Sequence, residues 1–230
     1  MSLLSMTHKE FNRLAGERAV IWVDPARVPL HSGSKWPVYR KRMLRLRRYV
    51  PLAFANLARP ALKAREPFFI PGDAFRPGQP VVDTPRYRKV ADFISHRDTP
   101  TDSLWYRDLM RELETQGVAW HKKIAMRSEA EILDFLEGYV GGLMDSLRAH
   151  GFSSNESRYE SSALICRDGS LTKTGSGNHR FNMCHALNVT PFPLRIVGAH
   201  RDWFTDNGGS DDSTLDALLA RIQEVGAQHR

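Results

Sequence analysis

The chain has 230 residues, a net charge of +7 and a hydrophobic content of 41%. That is enough for one ordinary hydrophobic core, and five Trp among other aromatic residues argue against a wholly disordered chain. No apolar run reaches the roughly 18–20 residues of a membrane-spanning helix, and the first residues are too polar for a signal peptide. With only two cysteines, Cys166 and Cys184, we expect no disulfide framework and a cytoplasmic protein.

The N-terminal portion, residues 1–85, combines a short apolar stretch with a strongly basic one. The sequence "AVIWV" at residues 19–23 predicts a strand, and "YRKRMLRLRRYV" predicts a helix over residues 38–50 between two prolines. Residues 25–65 contain eleven Lys and Arg and no Asp or Glu. Residues 67–85 contain five prolines and two glycines, which predicts an extended connector that ends this portion.

The basic segment, residues 38–65, has two interpretations that the sequence leaves open. In the first, it binds an anionic partner, either nucleic acid or membrane headgroups, the latter as a peripheral association at the inner membrane surface. In the second, it is a solvated helix face whose arginines stay in water while apolar residues pack inward.

The middle portion, residues 86–152, is predicted to be a helical subdomain. A short helix is expected over residues 86–94. A longer helix is expected to begin at Thr101 or Asp102, either of which can cap it, and to end at Gly117.

A further helix of this subdomain is predicted over residues 128–150 from an apolar stripe at helical spacing. Ser128 followed by Glu131 has the pattern of a capping box. Gly141 and Gly142 lie in its middle, where each costs about 1 kcal/mol and indicates close packing or a kink.

The last portion, residues 153–230, changes to a pattern of strands with a glycine loop. The predicted order is a strand at 160–168 with a tight turn at Asp168 and Gly169, a strand at 170–174, a loop at 175–178, a helix at 179–188, a strand ending at His200, and a helix capped by Ser213. We therefore predict an α+β fold with a small mixed sheet, preceded by a mostly helical N-terminal portion.

The sequence "TGSGNHRFNMCHA", residues 174–186, places a glycine loop directly before a helix. The first N–H groups of a helix have no intrahelical acceptor, and the helix dipole adds partial positive charge there. Glycines let an anion approach closely, and the guanidinium of Arg180 offers a planar fork for phosphate oxygens. The candidate phosphate-binding residues are Lys173, Gly175, Ser176, Gly177, Asn178, His179 and Arg180.

The order of features around this loop resembles the core of the ParB/sulfiredoxin-like superfamily. There, a strand leads to a glycine-containing loop, a His-Arg or Arg-Arg pair opens a helix, and a strand beginning with proline follows. The matching residues lie within 156–204 and are Gly177, His179, Arg180, Ala186, Leu187, Asn188 and the strand "PFPLRIV". The resemblance implies a loop that binds the phosphates of ATP or another nucleotide. The helical portion looks like uncharacterised bacterial and phage ParB-like proteins, some encoded among surface-polysaccharide genes.

Two loop residues depart from the better-known members of this superfamily. Asn178 stands where sulfiredoxins have cysteine, which disfavours their reaction, and Ser176 stands where kinase-like members have aspartate. A phosphotransferase would therefore need an acidic residue elsewhere, as a base or to hold Mg²⁺. The candidates are Glu156, Glu160 and Asp168, together with His200, which is predicted to face the loop across the sheet.

The function predicted from these residues is a kinase-like phosphotransferase that uses ATP on a small-molecule or glycan-like acceptor. The alternative is a ParB-like protein that binds nucleic acid through the basic segment without catalysis. Only one helix is predicted after residue 205, so no helix-turn-helix is expected to follow the core. No metal site is predicted, because Cys166, Cys184, His185 and His200 lack the spacing of metal ligands.

Overall fold

A mixed seven-stranded sheet joins the N-terminal and C-terminal parts of the chain. The computed structural model describes residues 2–152 and 161–230, and the fold is mixed α/β, 55% helical and 15% strand. The strands are β1 (Val20–Val23), β2 (Leu30–His31), β3 (Phe69–Ile70), β4 (Gln79–Pro80), β5 (Ala119–His121), β6 (Ile124–Met126), β7 (Ser162–Ile165), β8 (Leu171–Lys173) and β9 (Phe192–His200). The sheet order is β1–β9–β7–β8–β2–β4, β3 also pairs with β9, and β5 and β6 form a separate hairpin.

The helices lie before, between and after these strands. They are α1 (His8–Ala15), α2 (Pro37–Leu46), α3 (Leu52–Leu57), α4 (Arg59–Ala64), α5 (Pro85–Ser95), α6 (Leu104–Gln116), α7 (Glu129–Asp134), α8 (Gly142–His150), α9 (Asn178–Leu187), α10 (Arg201–Asp206) and α11 (Leu215–Gln228). Within the described ranges, no helix combines the length and the apolar content that crossing a membrane would require.

Strand β9 is the centre of the sheet. β7 pairs with it in parallel on one side, while β1 (antiparallel) and β3 (parallel) pair with successive parts of its other side. All of its residues are buried except the half-buried Arg195. A continuous apolar run of this kind is typical of a strand covered on both faces.

The segment predicted as a connector, residues 67–85, contributes β3 and β4 to this sheet. β1 and β2 also come from the N-terminal portion, so one sheet includes strands from both ends of the chain. Three of these four strands had no sequence signal, because a strand of two residues is too short to show an alternating pattern.

The middle helices follow the prediction closely, with small differences at their ends. Helix α6 begins one residue after Ser103, whose hydroxyl accepts the N–H of Tyr106, because Pro100–Asp102 form a 3₁₀ turn instead of the first helical turn. Gly117 ends the helix in the left-handed conformation, as predicted.

The helix predicted over residues 128–150 is continuous but contains a π-helical segment, Phe135–Gly141, between α7 and α8. A Cβ on Gly141 would lie 2.6 Å from the guanidinium of Arg97, whereas Gly142 has open space around its Cα. The side chain of Arg97 therefore packs against Gly141, and no neighbour packs in the same way against Gly142.

The helical portion covers the first turns of α9. α5 packs against both α9 and α6, the hairpin of β5 and β6 packs beside α6, and α8 also contacts α9. This arrangement brings residues from α5, α6, the hairpin and the π-helical segment next to the loop that precedes α9.

Candidate anion-binding cleft

The loop between β8 and α9 is held against the start of β7. The N–H of Thr174 donates to the carbonyl of Ser162 (2.9 Å), and the hydroxyls of the same two residues lie 2.6 Å apart. Gly177 has a φ of +66°, and a Cβ at this position would lie 2.9 Å from the Cα of Ser161. Only glycine therefore fits at the residue that turns the chain into α9.

Lys173 lies beneath the loop and is completely buried. Its Nζ donates to the carbonyls of Thr174 (2.7 Å) and Ser176 and to the side-chain oxygen of Asn178 (3.3 Å). Burial, and to a smaller extent the charge of Arg86, lowers the pKa of Lys173 to about 7. Since all three of its donors are used, the structure gives Lys173 a loop-shaping position in place of the predicted contact with phosphate.

Asn178 connects the loop to a neighbouring strand. Its side-chain oxygen accepts from Lys173 and lies 3.3 Å from Nε2 of His31, at the end of β2. Gly175 lies against the carbonyl of Gly33, which a Cβ would approach to 2.9 Å. These contacts fix the loop before any ligand is bound.

A cleft with a volume of about 570 Å³ opens at the start of α9. The predicted residues Gly175, Gly177, Asn178, His179 and Arg180 line it, whereas Lys173 and Ser176 do not. The opposite wall comes from the helical portion. It includes Arg86, Trp105, His121, Lys122, Tyr139, Val140, Leu143 and Phe152.

The described lining of this cleft is electropositive. It carries Arg86, Lys122 and Arg180 and no Asp or Glu. None of the three cations forms an ion pair with a carboxylate in residues 2–152 or 161–230. Positive charges that converge without a counter-charge favour an anion in the space between them.

The imidazole of His179 responds to this environment. Burial and then, in decreasing order, the nearby charges of His121, Lys122, Arg86 and Lys89 together lower the pKa of His179 to about 4. The pKa of His121 is lowered as well, mainly by burial and then by Lys122 and Lys89. Both imidazoles are therefore neutral at pH 7 in the ligand-free cleft and would gain protons more easily beside an anion.

Aromatic rings form one wall of the cleft. The rings of Trp105 and His179 are stacked, with centroids 5.8 Å apart and planes inclined by 23°, and His121 lies edge-on to His179 at 4.9 Å. Tyr139 stacks on Phe135 at 5.6 Å and leaves about half of its side chain exposed. This wall offers planar surfaces on which a flat, conjugated ligand can stack.

The predicted catalytic residues Asp168 and His200 lie at the other end of the sheet. In the β7–β8 hairpin Ala163 pairs with Lys173, so the loop after Lys173 lies at the start of β7 and the turn with Asp168 at its end. Because β7 and β9 are parallel, the last residue of β9, His200, also lies at that end. This corrects the expectation that His200 faces the loop.

The contacts of these two residues are structural. Nδ1 of His200 accepts the N–H of Asp202 (3.1 Å) and so caps α10, and its ring packs edge-on against Phe75. The carboxylate of Asp168 accepts from the N–H (3.0 Å) and hydroxyl (2.6 Å) of Ser170 and closes the hairpin turn. The remaining acidic candidates, Glu156 and Glu160, lie outside the described residues.

The opposite wall of the cleft was not found from the sequence. Trp105 and Tyr139 lie on apolar helical stripes, which predict core residues and give no sign of a site. Arg86 and Lys122 have no local motif at all. The one structural sign at Lys122 is a φ of +56°, uncommon for a residue other than glycine, and it is visible only in the structure.

No family model matches this chain, and comparison with curated proteins and with solved structures finds no match either. The resemblance to the ParB/sulfiredoxin-like core therefore stays a prediction. It rests on the order of residues in the loop, in α9 and in the strand that follows α9.

Proposed function

We propose that the protein binds the phosphate groups of a nucleotide, with ATP as the first candidate, in the cleft at the start of α9. The observation that carries this proposal is the convergence of Arg86, Lys122 and Arg180 on a cavity whose described lining holds no carboxylate. Its volume of about 570 Å³ lies within the range of roughly 300–1,000 Å³ that small-molecule sites occupy.

The phosphates would bind at the N-terminus of α9. Gly177 provides no side-chain cap, so the first N–H groups of this ten-residue helix are open to an acceptor. Arg180 would bind two phosphate oxygens through its planar guanidinium, and Arg86 and Lys122 would approach from the opposite wall. The base would stack against the exposed face of Tyr139, on the aromatic side of the cleft.

Phosphoryl transfer to a small-molecule or glycan-like acceptor extends this proposal. The three cations would stabilise charge that develops on the transferred group. Asp168 and His200 are too far along the sheet to act as base, so the predicted acidic role passes to Glu160, which precedes the cleft residue Ser161 in the chain. Mg²⁺ would accompany the nucleotide, and we assign it no ligand on the protein.

Calorimetric titration of ATP, CTP and inorganic tripolyphosphate tests the binding proposal. Arg180→Ala should weaken all three by about 10- to 100-fold, since it removes charge-assisted hydrogen bonds worth roughly 1.5–3 kcal/mol. Arg201→Ala is the matched control, because Arg201 also lies in the first turn of a helix, α10, at the other end of the sheet. Equal affinities in both variants and in the wild type would remove the proposal.

Glu160→Gln separates binding from catalysis. If Glu160 is the base, this variant keeps its affinity for ATP and loses ATP turnover in the presence of acceptor or water. Unchanged turnover would remove Glu160 from the reaction and leave the binding proposal in place.

The alternative, a ParB-like protein that binds nucleic acid without catalysis, depends on the basic segment and not on the cleft. It predicts retention on DNA or RNA that falls steeply with salt. The surface of that segment, however, exposes apolar side chains as well as positive charge.

A further inference from the structure

The segment from α2 to α4, including the turn between α2 and α3, has a surface that is both basic and apolar. We call this surface the α2–α4 patch; its exposed apolar residues are Leu44, Tyr49, Leu52, Phe54 and Leu57. Their side chains are 58%, 80%, 58%, 64% and 77% exposed, and they are the five most exposed large hydrophobic residues that the structure describes. Single exposed apolar residues are ordinary on a protein surface, but a cluster within fourteen residues of chain is not.

Helix α3 illustrates how little of this segment contacts the core. Of its six residues, "LAFANL", only Ala55 is buried, and the other five are exposed. A short helix that presents leucine and phenylalanine to water leaves apolar area available to a partner.

The same segment also exposes positive charge. Arg40, Arg45, Arg47 and Arg48 are exposed, and none forms an ion pair with a described carboxylate. Glu66, the first acid that follows these arginines in the chain, is buried and accepts the N–H groups of Val38 (2.8 Å) and Tyr39 (2.6 Å) at the start of α2. Glu66 therefore caps α2 and does not pair with the patch arginines.

This combination fits a membrane surface better than nucleic acid. A nucleic acid would contact the arginines through phosphate, but it offers no apolar surface to Leu52 or Leu57. A bilayer with anionic lipids offers both, because headgroups attract Lys and Arg while the acyl boundary accepts Leu and Phe, and tyrosine is favoured at the interface. We propose that the α2–α4 patch docks the protein on a membrane containing anionic lipids, with Phe54 and Leu57 inserted among the acyl chains.

Co-sedimentation of the full-length protein with vesicles tests this proposal. The wild type should bind vesicles that contain phosphatidylglycerol, bind pure phosphatidylcholine weakly, and lose binding as salt rises. The double variant Phe54→Ser/Leu57→Ser should weaken binding by about 10-fold or more, and Arg47→Glu/Arg48→Glu should remove the dependence on anionic lipid.

The control double variant is Leu14→Ser/Val82→Ser, which removes two exposed apolar side chains outside the patch and should bind vesicles as the wild type does. Circular dichroism melting of each variant checks that it is folded. The proposal is overturned if Phe54→Ser/Leu57→Ser binds anionic vesicles normally. It is also overturned if the arginine variant loses retention on DNA while wild-type protein fails to bind vesicles, since that result identifies nucleic acid as the partner.

Discussion

The cleft at the start of α9 and the α2–α4 patch both collect positive charge, but they arrange it in opposite ways. In the cleft, Arg86, Lys122 and Arg180 come from three separate elements and point into one cavity lined by aromatic rings. In the patch, the arginines come from one segment, lie in water and alternate with exposed leucines and aromatics. The net charge of +7 is therefore distributed over two different surfaces, for which we propose two kinds of partner: a small anion in the cleft and an anionic membrane at the patch.

The largest effect is expected from Gly177→Ala, which should damage the cleft and leave the α2–α4 patch unchanged. The substitution puts a Cβ into Ser161 at a φ of +66°, so we expect a loss of about 2–4 kcal/mol of unfolding free energy and of measurable ATP binding. Thermal unfolding and calorimetric titration measure the two effects. Vesicle binding through the patch should not change.

Gly117→Ala is the matched control for this substitution. Gly117 has a φ of +71° next to helix α6, but a Cβ there would meet no atom within 4 Å. It should cost only the backbone strain of about 1 kcal/mol and leave ATP affinity intact. If the two variants lose ATP binding equally, the close fit of the loop is not what shapes the site.

A second prediction concerns the cation beneath the loop. Lys173→Met should lower the unfolding free energy by about 2–4 kcal/mol, because three buried oxygen acceptors lose their donor. The folded-state pKa of Lys173, about 7, lies below the value of about 10.4 expected when unfolded. Between these values the unfolded state binds more protons, so this lysine makes stability rise with pH from about 7 to 10.

Chemical unfolding at pH 7 and at pH 9 measures this linkage. The wild type should gain stability relative to Lys173→Met as the pH rises, at about 1 kcal/mol per pH unit. A difference between the two proteins that does not change with pH would show that Lys173 stays protonated in the folded state over this pH range, as it does in the unfolded state.

The third prediction uses His179, whose imidazole is neutral in the free cleft. An anion beside the ring raises its pKa from about 4, so proton uptake should tighten phosphate binding as pH falls below about 6.5. We expect about 10-fold tighter binding of tripolyphosphate to the wild type, relative to His179→Gln, between pH 7.5 and pH 5.5. The comparison with His179→Gln removes the titration of the ligand itself, and parallel pH profiles would contradict the assignment.

The smallest expected effect distinguishes contacts with the nucleotide's base from contacts with its phosphates. Tyr139→Ala should weaken ATP by about 5-fold, since stacking on an aromatic ring is worth roughly 1 kcal/mol or more, and should leave tripolyphosphate unchanged. An equal loss for both ligands would mean that Tyr139 supports the phosphates or the fold, not the base.

The contrast also shows what the sequence could predict. Helix α6 and the hairpin of β7 and β8 were predicted because periodicity and turn residues are local signals. The loop before α9 was recognised for the same reason, since glycine, histidine and arginine are adjacent in the chain. Its resemblance to a known core concerns only this local order.

The wall of the cleft opposite the loop could not be predicted from the sequence, because it is assembled by tertiary structure. Arg86 and Lys122 reach α9 only because α5 and the hairpin of β5 and β6 pack over it, and neither residue belongs to a motif. Strand register, which sets the end of the sheet where a residue lies, separated Asp168 and His200 from the loop. The sequence also does not show which residues are buried. Because Lys173 is completely buried, it supports the loop and is not placed to contact a ligand.

The most direct test of the account is the affinity of Arg86→Ala for ATP, because Arg86 lies far from the loop in the chain and belongs to the site only through the fold. Arg88→Ala is the control, since Arg88 lies on the same helix and pairs with Asp83. We predict that calorimetric titration shows ATP binding about 10-fold weaker in Arg86→Ala and unchanged in Arg88→Ala, with equal melting temperatures. Wild-type affinity in Arg86→Ala would contradict the convergent anion site.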